Sequence, residues 1–184
     1  MISRLLPLLA FLLLGILLAV GLSISDTKTH IPSPLIGKPV PGFNLPQLFE
    51  PEKTLSQEDF LGEPYLVNFW GSWCPTCVYE HPVITGLAQT GRLRIVGLNY
   101  RDEPEDAKAW LARHGNPYDD IVFDYGGKIS IDFGVYAAPE SFLISPDGNI
   151  VFKHIGALTP EIVNDTILPM VDEMKQNPEP GTQS

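Results

Sequence analysis

Cysteine is scarce in this chain: only Cys74 and Cys77 are present, and two residues separate them. A structural zinc site normally needs four ligands, often supplied as two such pairs. One pair, together with four histidines scattered along the sequence, argues against zinc. Covalent haem attachment would need a histidine directly after the second cysteine, where this chain has Val78. The sequence therefore predicts no metal and no other cofactor.

Clusters of basic residues are also missing. The chain has 12 Lys and Arg against 22 Asp and Glu, which gives a formal net charge of −10. Every acidic residue lies after residue 25, so the acidity belongs to the part of the chain that follows the N-terminal segment. Proteins that bind nucleic acid normally carry a basic patch or stripe. We therefore expect no nucleic-acid partner.

Charge is absent from residues 5–24, which read LLPLLAFLLLGILLAVGLSI. About 20 apolar residues suffice for a helix to cross a bilayer. A cleaved signal peptide is the alternative, but its apolar stretch is usually shorter and ends in a small-x-small cleavage site, which this segment lacks. The positive charges of Met1 and Arg4 precede the segment and favour an orientation with residues 25 onward outside the cytoplasm. We therefore predict an uncleaved, single-pass anchor.

The composition after residue 24 divides the chain into a linker, a folded domain and a tail. Four prolines between residues 25 and 42 predict an extended spacer rather than a packed element. The predicted organisation is a transmembrane signal anchor at 1–24, a Pro-rich linker at 25–42, a folded domain at 43–176 and a flexible tail at 177–184.

Apolar runs, caps and turn residues predict alternating strands and helices in the folded domain. The predicted strands are 65–70, 94–100 and 120–125, and the predicted helices are 74–91, 103–115 and 159–176. Residues 127–134 form a short helix or a turn, a hairpin covers 141–156 around the turn SPDG, and a further hairpin lies before residue 65. This order predicts an α/β layer structure with a mixed sheet flanked by helices.

The pair Cys74 and Cys77 has two remaining interpretations. A structural disulfide would close a loop too short to restrain the unfolded chain much. A redox dithiol fits better, because Cys74 would lie just ahead of the first turn of helix 74–91, where free N–H groups and the helix dipole favour the thiolate. Cys74, near solvent, would attack a substrate disulfide, and Cys77 would then resolve the mixed disulfide. Trp73 would shield one side and offer a surface to a partner.

Longer stretches carry a family resemblance. FWGSWCPTC, VGLNYRDEPEDAKAWLARHGNPY and GVYAAPESFLISPDGNIVFKHIGALT, with the N-terminal anchor, resemble the periplasmic thiol:disulfide interchange proteins of cytochrome c maturation, the CcmG/DsbE family. The motif WCPTC alone would indicate only a thioredoxin-like protein. The resemblance runs from residue 35 to about residue 170, and it implies a thioredoxin-like fold with an N-terminal hairpin extension.

The resemblance also implies site residues. Pro139 would be a cis-proline facing the cysteines, and Glu140 would be an acid near the thiols, unless it is an ordinary surface acid. The implied substrate groove consists of Trp73, Pro75, Thr76, Tyr136 and Ala138, although core packing is an alternative for Tyr136. Glu80 and His81, on the helix after the cysteines, are most simply solvated. Val78 and Ala137 depart from the family pattern, which often has Arg and Gly there.

The function that the resemblance implies is reduction of the Cys-x-x-Cys-His disulfide of apocytochrome c before haem attachment. A membrane thiol reductant of the DsbD or CcdA type would re-reduce the pair, and the protein would lie in the inner membrane with its domain facing the periplasm. Two alternatives stay open: a general periplasmic thioredoxin-like reductant, and a docking module for maturation partners whose dithiol is secondary.

Overall fold

The computed structural model describes residues 10–19 and 33–176. The chain divides into two units, Met1–Pro32 and Ser33–Ser184. In the first unit, helix α1 covers residues 10–19. The predicted anchor at 5–24 extends beyond these residues on both sides, and the described part of the chain contains no helix long and apolar enough to cross a membrane. The predicted tail at 177–184 lies outside the described residues, as does the first part of the predicted linker.

The second unit alternates strands and helices. Its strands are β1 (Asn44–Pro46), β2 (Thr54–Ser56), β3 (Tyr65–Trp70), β4 (Arg94–Tyr100), β5 (Asp120–Asp124), β6 (Glu140–Ile144) and β7 (Ile150–Ile155). Its helices are α2 (Pro75–Gln89), α3 (Pro104–His114), α4 (Lys128–Asp132), α5 (Pro160–Ile162) and α6 (Leu168–Gln176), with a 3-10 turn at Gln57–Phe60 and a π-helical segment at Val163–Ile167 between α5 and α6.

Strand β3 lies at the centre of a five-stranded mixed sheet with the order β5-β4-β3-β6-β7. It pairs parallel with β4 and antiparallel with β6, and β4 and β5 are also parallel. Strands β1 and β2 form a separate antiparallel hairpin. The hairpin lies next to β5, and the Leu48 N–H donates to the Ile121 carbonyl at 3.0 Å. The mixed sheet and the N-terminal hairpin predicted from the sequence are confirmed.

The sheet separates two hydrophobic cores, because side chains along each strand point alternately to its two faces. Leu66 and Trp70 of β3 belong to the core that packs against α2, α3 and the C-terminal helical segment. Val67 and Phe69 belong to the core that packs against α4 and the N-terminal part of the unit. The first core also contains both cysteines, so α2 holds the dithiol against one face of the sheet only.

Two predictions about the ends of the domain need correction. Residues 37–40 are not a spacer: the Gly37 N–H donates to the Ile150 carbonyl at 2.8 Å, and the Val40 N–H donates to the Gly148 carbonyl at 2.9 Å. These backbone bonds and the burial of Val40 tie this stretch to the start of β7. The helix predicted for 159–176 is interrupted by the π-helical segment, although Thr159 caps its start as expected.

Candidate functional site

The two cysteines lie where α2 begins, directly after the central strand. Cys74 is the N-cap residue with an extended backbone, and Pro75 occupies the first helical position, where its missing N–H costs nothing. Cys74 and Cys77 form a disulfide, and Cys74 Sγ accepts a hydrogen bond from the Cys77 N–H at 3.1 Å. An N–H aimed at this sulfur, together with the positive end of the helix dipole, favours a Cys74 thiolate once the disulfide is reduced.

The prediction that Cys74, unlike Cys77, lies near solvent is not confirmed. Cys74 is 2% exposed and Cys77 is 3% exposed, so the expectation that Cys74 lies near solvent is wrong for this disulfide form. The residues next to the cysteines in the sequence are exposed instead. Pro75 and Thr76 are exposed at the start of α2, and Trp73 keeps 48% of its surface free. A partner disulfide must therefore reach the buried pair between exposed neighbours.

Asp102 fixes the loop that delivers the chain from β3 to Cys74. Its carboxylate accepts hydrogen bonds from the Ser72 N–H and hydroxyl, both at 2.6 Å, and from the Asn99 amide at 2.9 Å. It also accepts from the Glu103 N–H at 2.9 Å, at the start of α3. Asp102 is buried, and it thereby connects the loop, strand β4 and α3. The sequence alone indicates no role for this residue.

Trp73 follows Ser72 in this loop and is fixed by its contacts with Tyr100. Its indole N–H donates to the Tyr100 carbonyl at 3.2 Å, and its ring meets the Tyr100 ring edge-on, with 5.5 Å between the centroids. A Cβ atom at Gly71 would overlap the indole, so the position before Ser72 has room only for glycine while Trp73 holds this rotamer. Trp73 is thus held on one side and exposed on the other.

The loop before β6 forms the opposite wall. The Ala138–Pro139 peptide bond is cis, as the family resemblance implies. Tyr136 is 75% exposed, which rules out the alternative of core packing. Together with Trp73, Ala137 and Ala138 it lines a cleft of about 300 Å³. Within the described residues no hydrogen bond occupies the N–H or the carbonyl of Ala138, which leaves both for an extended peptide.

Glu80 and His81 are buried, which corrects the expectation that they are solvated. Glu80 is 2% exposed, and its Oε1 accepts from the Asn68 amide at 3.3 Å and from the Leu158 N–H at 3.2 Å. Asn68 in turn donates to the Ser141 hydroxyl at 3.0 Å and accepts from the Tyr118 hydroxyl at 2.8 Å. A polar network therefore crosses the otherwise apolar core beneath α2.

Burial changes the acidity of this network. Loss of solvent raises the pKa of Glu80 from its ordinary 4.5 to about 7, against the opposing effect of the hydrogen bonds that the carboxylate accepts. Burial also raises the pKa of Tyr118, and Glu80 adds to that shift. Glu80 lies one helical turn after Cys77 on the same face of α2, and both residues are buried. A carboxyl group that titrates near neutrality therefore lies close to the second cysteine.

His81 links α2 to the end of α3. Its Nε2 lies 3.1 Å from the Gly115 carbonyl, and its ring meets the Trp110 ring edge-on with 4.7 Å between the centroids. Burial lowers the pKa of His81, so the neutral ring is favoured. This environment indicates a structural role away from the cleft.

The family resemblance implies that Glu140 is an acid near the thiols, with an ordinary surface acid as the alternative. Glu140 is completely buried, which rules out the alternative of a surface acid. Its Oε1 accepts from the N–H groups of Tyr136 and Ala137, at 3.1 and 3.3 Å, and its Oε2 lies 2.8 Å from Lys153 Nζ. Its partners are the cis-proline loop and a lysine, so its negative charge is compensated locally.

The contributions of Asn68, Ser141 and Lys153, and the roles of Glu80 and Asp102, were not predicted from the sequence. For Glu80 a signal existed, because the buried residues of α2 recur at helical spacing: Cys77, Glu80, His81, Ile84 and Leu87. Among the described residues, no group of three His, Cys, Asp or Glu side chains is placed to hold a metal ion.

A dithiol capping a helix after a central strand, with a cis-proline directly before the strand β6 that pairs with that central strand, defines a thioredoxin-like thiol:disulfide oxidoreductase. The Redoxin family profile matches residues 35–168. The sequence is 44% identical to the thiol:disulfide interchange protein DsbE of Vibrio cholerae over 171 residues, which cover 91% of this chain and 92% of the relative. The chain belongs to the DsbE/CcmG family of thiol:disulfide interchange proteins.

A second relative supports this membership, and a solved structure shares the fold. The thiol:disulfide interchange protein DsbE of Pseudomonas aeruginosa is 40% identical over 175 residues, covering 95% of this chain and 96% of the relative. The fold is shared with a thiol-disulfide oxidoreductase from Bacteroides fragilis at a TM-score of 0.63, with 22% identity, over 72% of this chain and 99% of that one.

Proposed function

We propose that the protein is a membrane-anchored periplasmic reductant that opens the Cys-x-x-Cys-His disulfide of apocytochrome c before haem attachment. The observation that carries the proposal is a buried dithiol at the start of α2, directly after the exposed Trp73, which lines a cleft together with the exposed Tyr136, in a chain related to DsbE proteins. The uncharged segment at 5–24 supports attachment to the inner membrane.

The chemistry is an exchange of two electrons and two protons. The Cys74 thiolate attacks one sulfur of the substrate disulfide, and the other substrate sulfur leaves as a thiolate. Cys77 then attacks Cys74 in the mixed disulfide, which releases the second substrate thiol and leaves the Cys74–Cys77 disulfide. The substrate gains the two electrons that the dithiol loses. A membrane thiol reductant of the DsbD or CcdA type restores the dithiol by the reverse exchange.

Glu80 supplies a proton acceptor for the second step. Cys77 must lose its proton before it attacks, and it is buried in an apolar core, where an unassisted thiol ionises with difficulty. A carboxyl group with a pKa of about 7, one turn along the helix, is half ionised near neutral pH and takes that proton. The network through Asn68 holds the carboxyl group in place.

The cleft between Trp73 and Tyr136 receives the substrate chain. The free N–H and carbonyl of Ala138 pair with an extended segment next to the substrate cysteine, and the aromatic side chains cover its neighbours. Backbone pairing carries no sequence information, so selectivity for Cys-x-x-Cys-His depends on side chains beside the disulfide.

The substrate proposal is tested by competition between peptides. The reduced protein is offered an oxidised Cys-x-x-Cys-His peptide from a cytochrome c site, the same peptide with Ala in place of His, and an unrelated Cys-x-x-Cys peptide. The proposal predicts the highest kcat/KM for the first peptide. Equal values for all three would favour the general periplasmic reductant, and efficient docking without any reduction would favour the docking module.

A further inference from the structure

Glu140 and Lys153 form an ion pair that lies out of solvent behind the cis-proline loop. The side chain of Glu140 is fully buried and that of Lys153 is 8% exposed, with 2.8 Å between Oε2 and Nζ. Both residues lie in paired strands, Glu140 at the start of β6 and Lys153 within β7. The pair is therefore part of the rigid sheet rather than of the loop.

Each member of the pair also bonds to the loop. Glu140 Oε1 accepts from the N–H groups of Tyr136 and Ala137. Lys153 Nζ donates to the Gly134 carbonyl at 2.9 Å, and it lies 5.8 Å from the centre of the Tyr136 ring. Three hydrogen bonds between the loop and two sheet residues thus hold both ends of the stretch from Gly134 to Ala137.

This stretch forms one wall of the cleft that Trp73, the residue before Cys74, also lines. Tyr136 and Ala137 line the cleft directly, and Ala138, with its free backbone groups, follows them. A change in the loop position would move the Ala138 N–H and carbonyl relative to Cys74. It would leave the α2 N-terminus unchanged, because that end is fixed by Asp102 through Ser72.

We infer that Glu140 and Lys153 are positioning residues that clamp the peptide-binding wall, and that they set the affinity for peptide disulfides without tuning the thiols. Lys153 balances the charge of Glu140, which weakens the effect that the carboxylate would have on Cys74. The inference builds on the docking step proposed above, but it applies to a peptide disulfide of any sequence.

The test compares two double variants of the full chain. Glu140→Ala/Lys153→Met removes all three hydrogen bonds to the loop, whereas Glu140→Gln/Lys153→Met keeps an amide oxygen for the Tyr136 and Ala137 N–H groups. Both remove the two charges together, so neither leaves a buried charge unpaired. Lys153→Arg keeps a cation and a donor, and Lys38→Met removes one exposed positive charge as a control.

Three quantities are measured for each variant: kcat and KM for an oxidised Cys-x-x-Cys peptide unrelated to cytochrome c, the reaction rate with the small aromatic disulfide dithiobis(nitrobenzoate), and the reduction potential. We expect KM for the peptide to rise about tenfold in the Ala/Met variant and about threefold in the Gln/Met variant, following the number of hydrogen bonds lost. Lys153→Arg and Lys38→Met should keep the original KM. The kcat, the small-disulfide rate and the potential should stay unchanged throughout.

An unchanged peptide KM in both double variants would overturn the inference. So would a change of potential or small-disulfide rate that parallels the change in KM, because the pair would then act on the thiols. Urea unfolding checks that each variant is folded, and the Gln/Met variant decides the outcome if the Ala/Met variant does not fold. Because the peptide is unrelated to cytochrome c, the result is independent of the proposed substrate.

Discussion

Glu80 carries an ionisable carboxyl group that the fold removes from water. In the unfolded chain the group regains its ordinary pKa of 4.5, whereas burial raises its pKa to about 7 in the native state. Below pH 4.5 the carboxyl group is protonated in both the native and the unfolded state, so it does not change the free energy of unfolding. As the pH rises through the window between the two values, the unfolded state loses its proton first. Glu80 therefore lowers stability progressively from about pH 4.5 to about pH 7.

Replacing Glu80 with Gln should remove this pH-dependent loss. Relative to the parent protein, Glu80→Gln should gain roughly 3 kcal/mol in unfolding free energy between pH 4.5 and pH 8, since each pKa unit corresponds to about 1.4 kcal/mol. Urea unfolding of both proteins at several pH values measures the difference. Glu63→Gln, at an exposed position, is the matched control. A constant difference between parent and variant over this range would show that Glu80 does not titrate there.

The same substitution should slow the second chemical step. Without a carboxylate to take the Cys77 proton, Glu80→Gln should lower the rate of mixed-disulfide resolution by about a hundredfold at pH 7, at the lower end of the range that general base catalysis contributes. The first attack by Cys74 should change little. Rapid-quench trapping of the mixed disulfide separates the two steps, and equal slowing of both would contradict the assignment.

Cys74 and Cys77 should titrate separately after reduction. The Cys74 sulfur receives the Cys77 N–H at the helix N-terminus, whereas Cys77 lies one turn deeper and close to the Glu80 carboxyl group. We expect the Cys74 thiol pKa to fall below the ordinary value of about 8.5 and the Cys77 pKa to rise above it. Thiolate absorbance against pH in Cys74→Ser and Cys77→Ser measures each group. Identical curves would contradict this electrostatic argument.

At the scale of single residues, sequence reasoning found the chemistry that is local in the chain. The spacing of the cysteines and their place before a helix identify the dithiol. The burial of Glu80 was missed because charged side chains on helices are usually exposed, although this one shares the face of Cys77 and Ile84. The partner of Glu140 was not predictable, since Lys153 reaches it only after β6 and β7 have paired.

Among the structural elements, the loop between β3 and α2 must be positioned most accurately, because it presents the dithiol. Asp102 accepts hydrogen bonds from both the backbone and the side chain of Ser72, two residues before Cys74. It is reached from the end of β4, so the neighbouring parallel strand holds the loop that presents the dithiol. Neither the loop conformation nor this support follows from residues 71–74 alone.

Asp102→Ala should therefore affect both stability and reactivity. Loss of these charge-assisted hydrogen bonds, which leaves buried donors without partners, should cost roughly 3 kcal/mol in unfolding free energy. The reaction rate with a small disulfide should also fall, because Cys74 is no longer fixed at the helix N-terminus. Urea unfolding and the thiol exchange rate are measured beside Asp132→Ala, an exposed control. A variant with the stability and rate of the parent would show that Asp102 does not support the loop.

Sequence patterns predicted the elements best where apolar runs are bounded by turns. The predicted strands at 65–70 and 94–100 coincide with β3 and β4. The π-helical interruption at Val163–Ile167 has no such signal, since the apolar spacing continues through it. The packing of residues 37–40 was missed for another reason: prolines favour an extended chain, but extended chain also pairs with a neighbouring strand.

At the scale of the whole molecule, the prediction of an uncleaved anchor concerns residues 5–24. The segment is uncharged and no good cleavage site follows it. Protein extracted from membranes should therefore have a mass that includes the N-terminal segment, and carbonate washing should not release it. A mature species that starts near residues 22–26 would contradict the prediction.

The central claim is that Cys74 attacks the disulfide of apocytochrome c. With Cys77→Ser in the anchored full chain, the mixed disulfide on Cys74 cannot be resolved and should accumulate. Cells that produce a c-type cytochrome are quenched with acid, and the trapped partner is identified by mass, with Cys74→Ser/Cys77→Ser as the matched control. The account predicts a peptide containing Cys-x-x-Cys-His from an apocytochrome, absent from the control. Trapping of unrelated periplasmic proteins with no apocytochrome among them would contradict it.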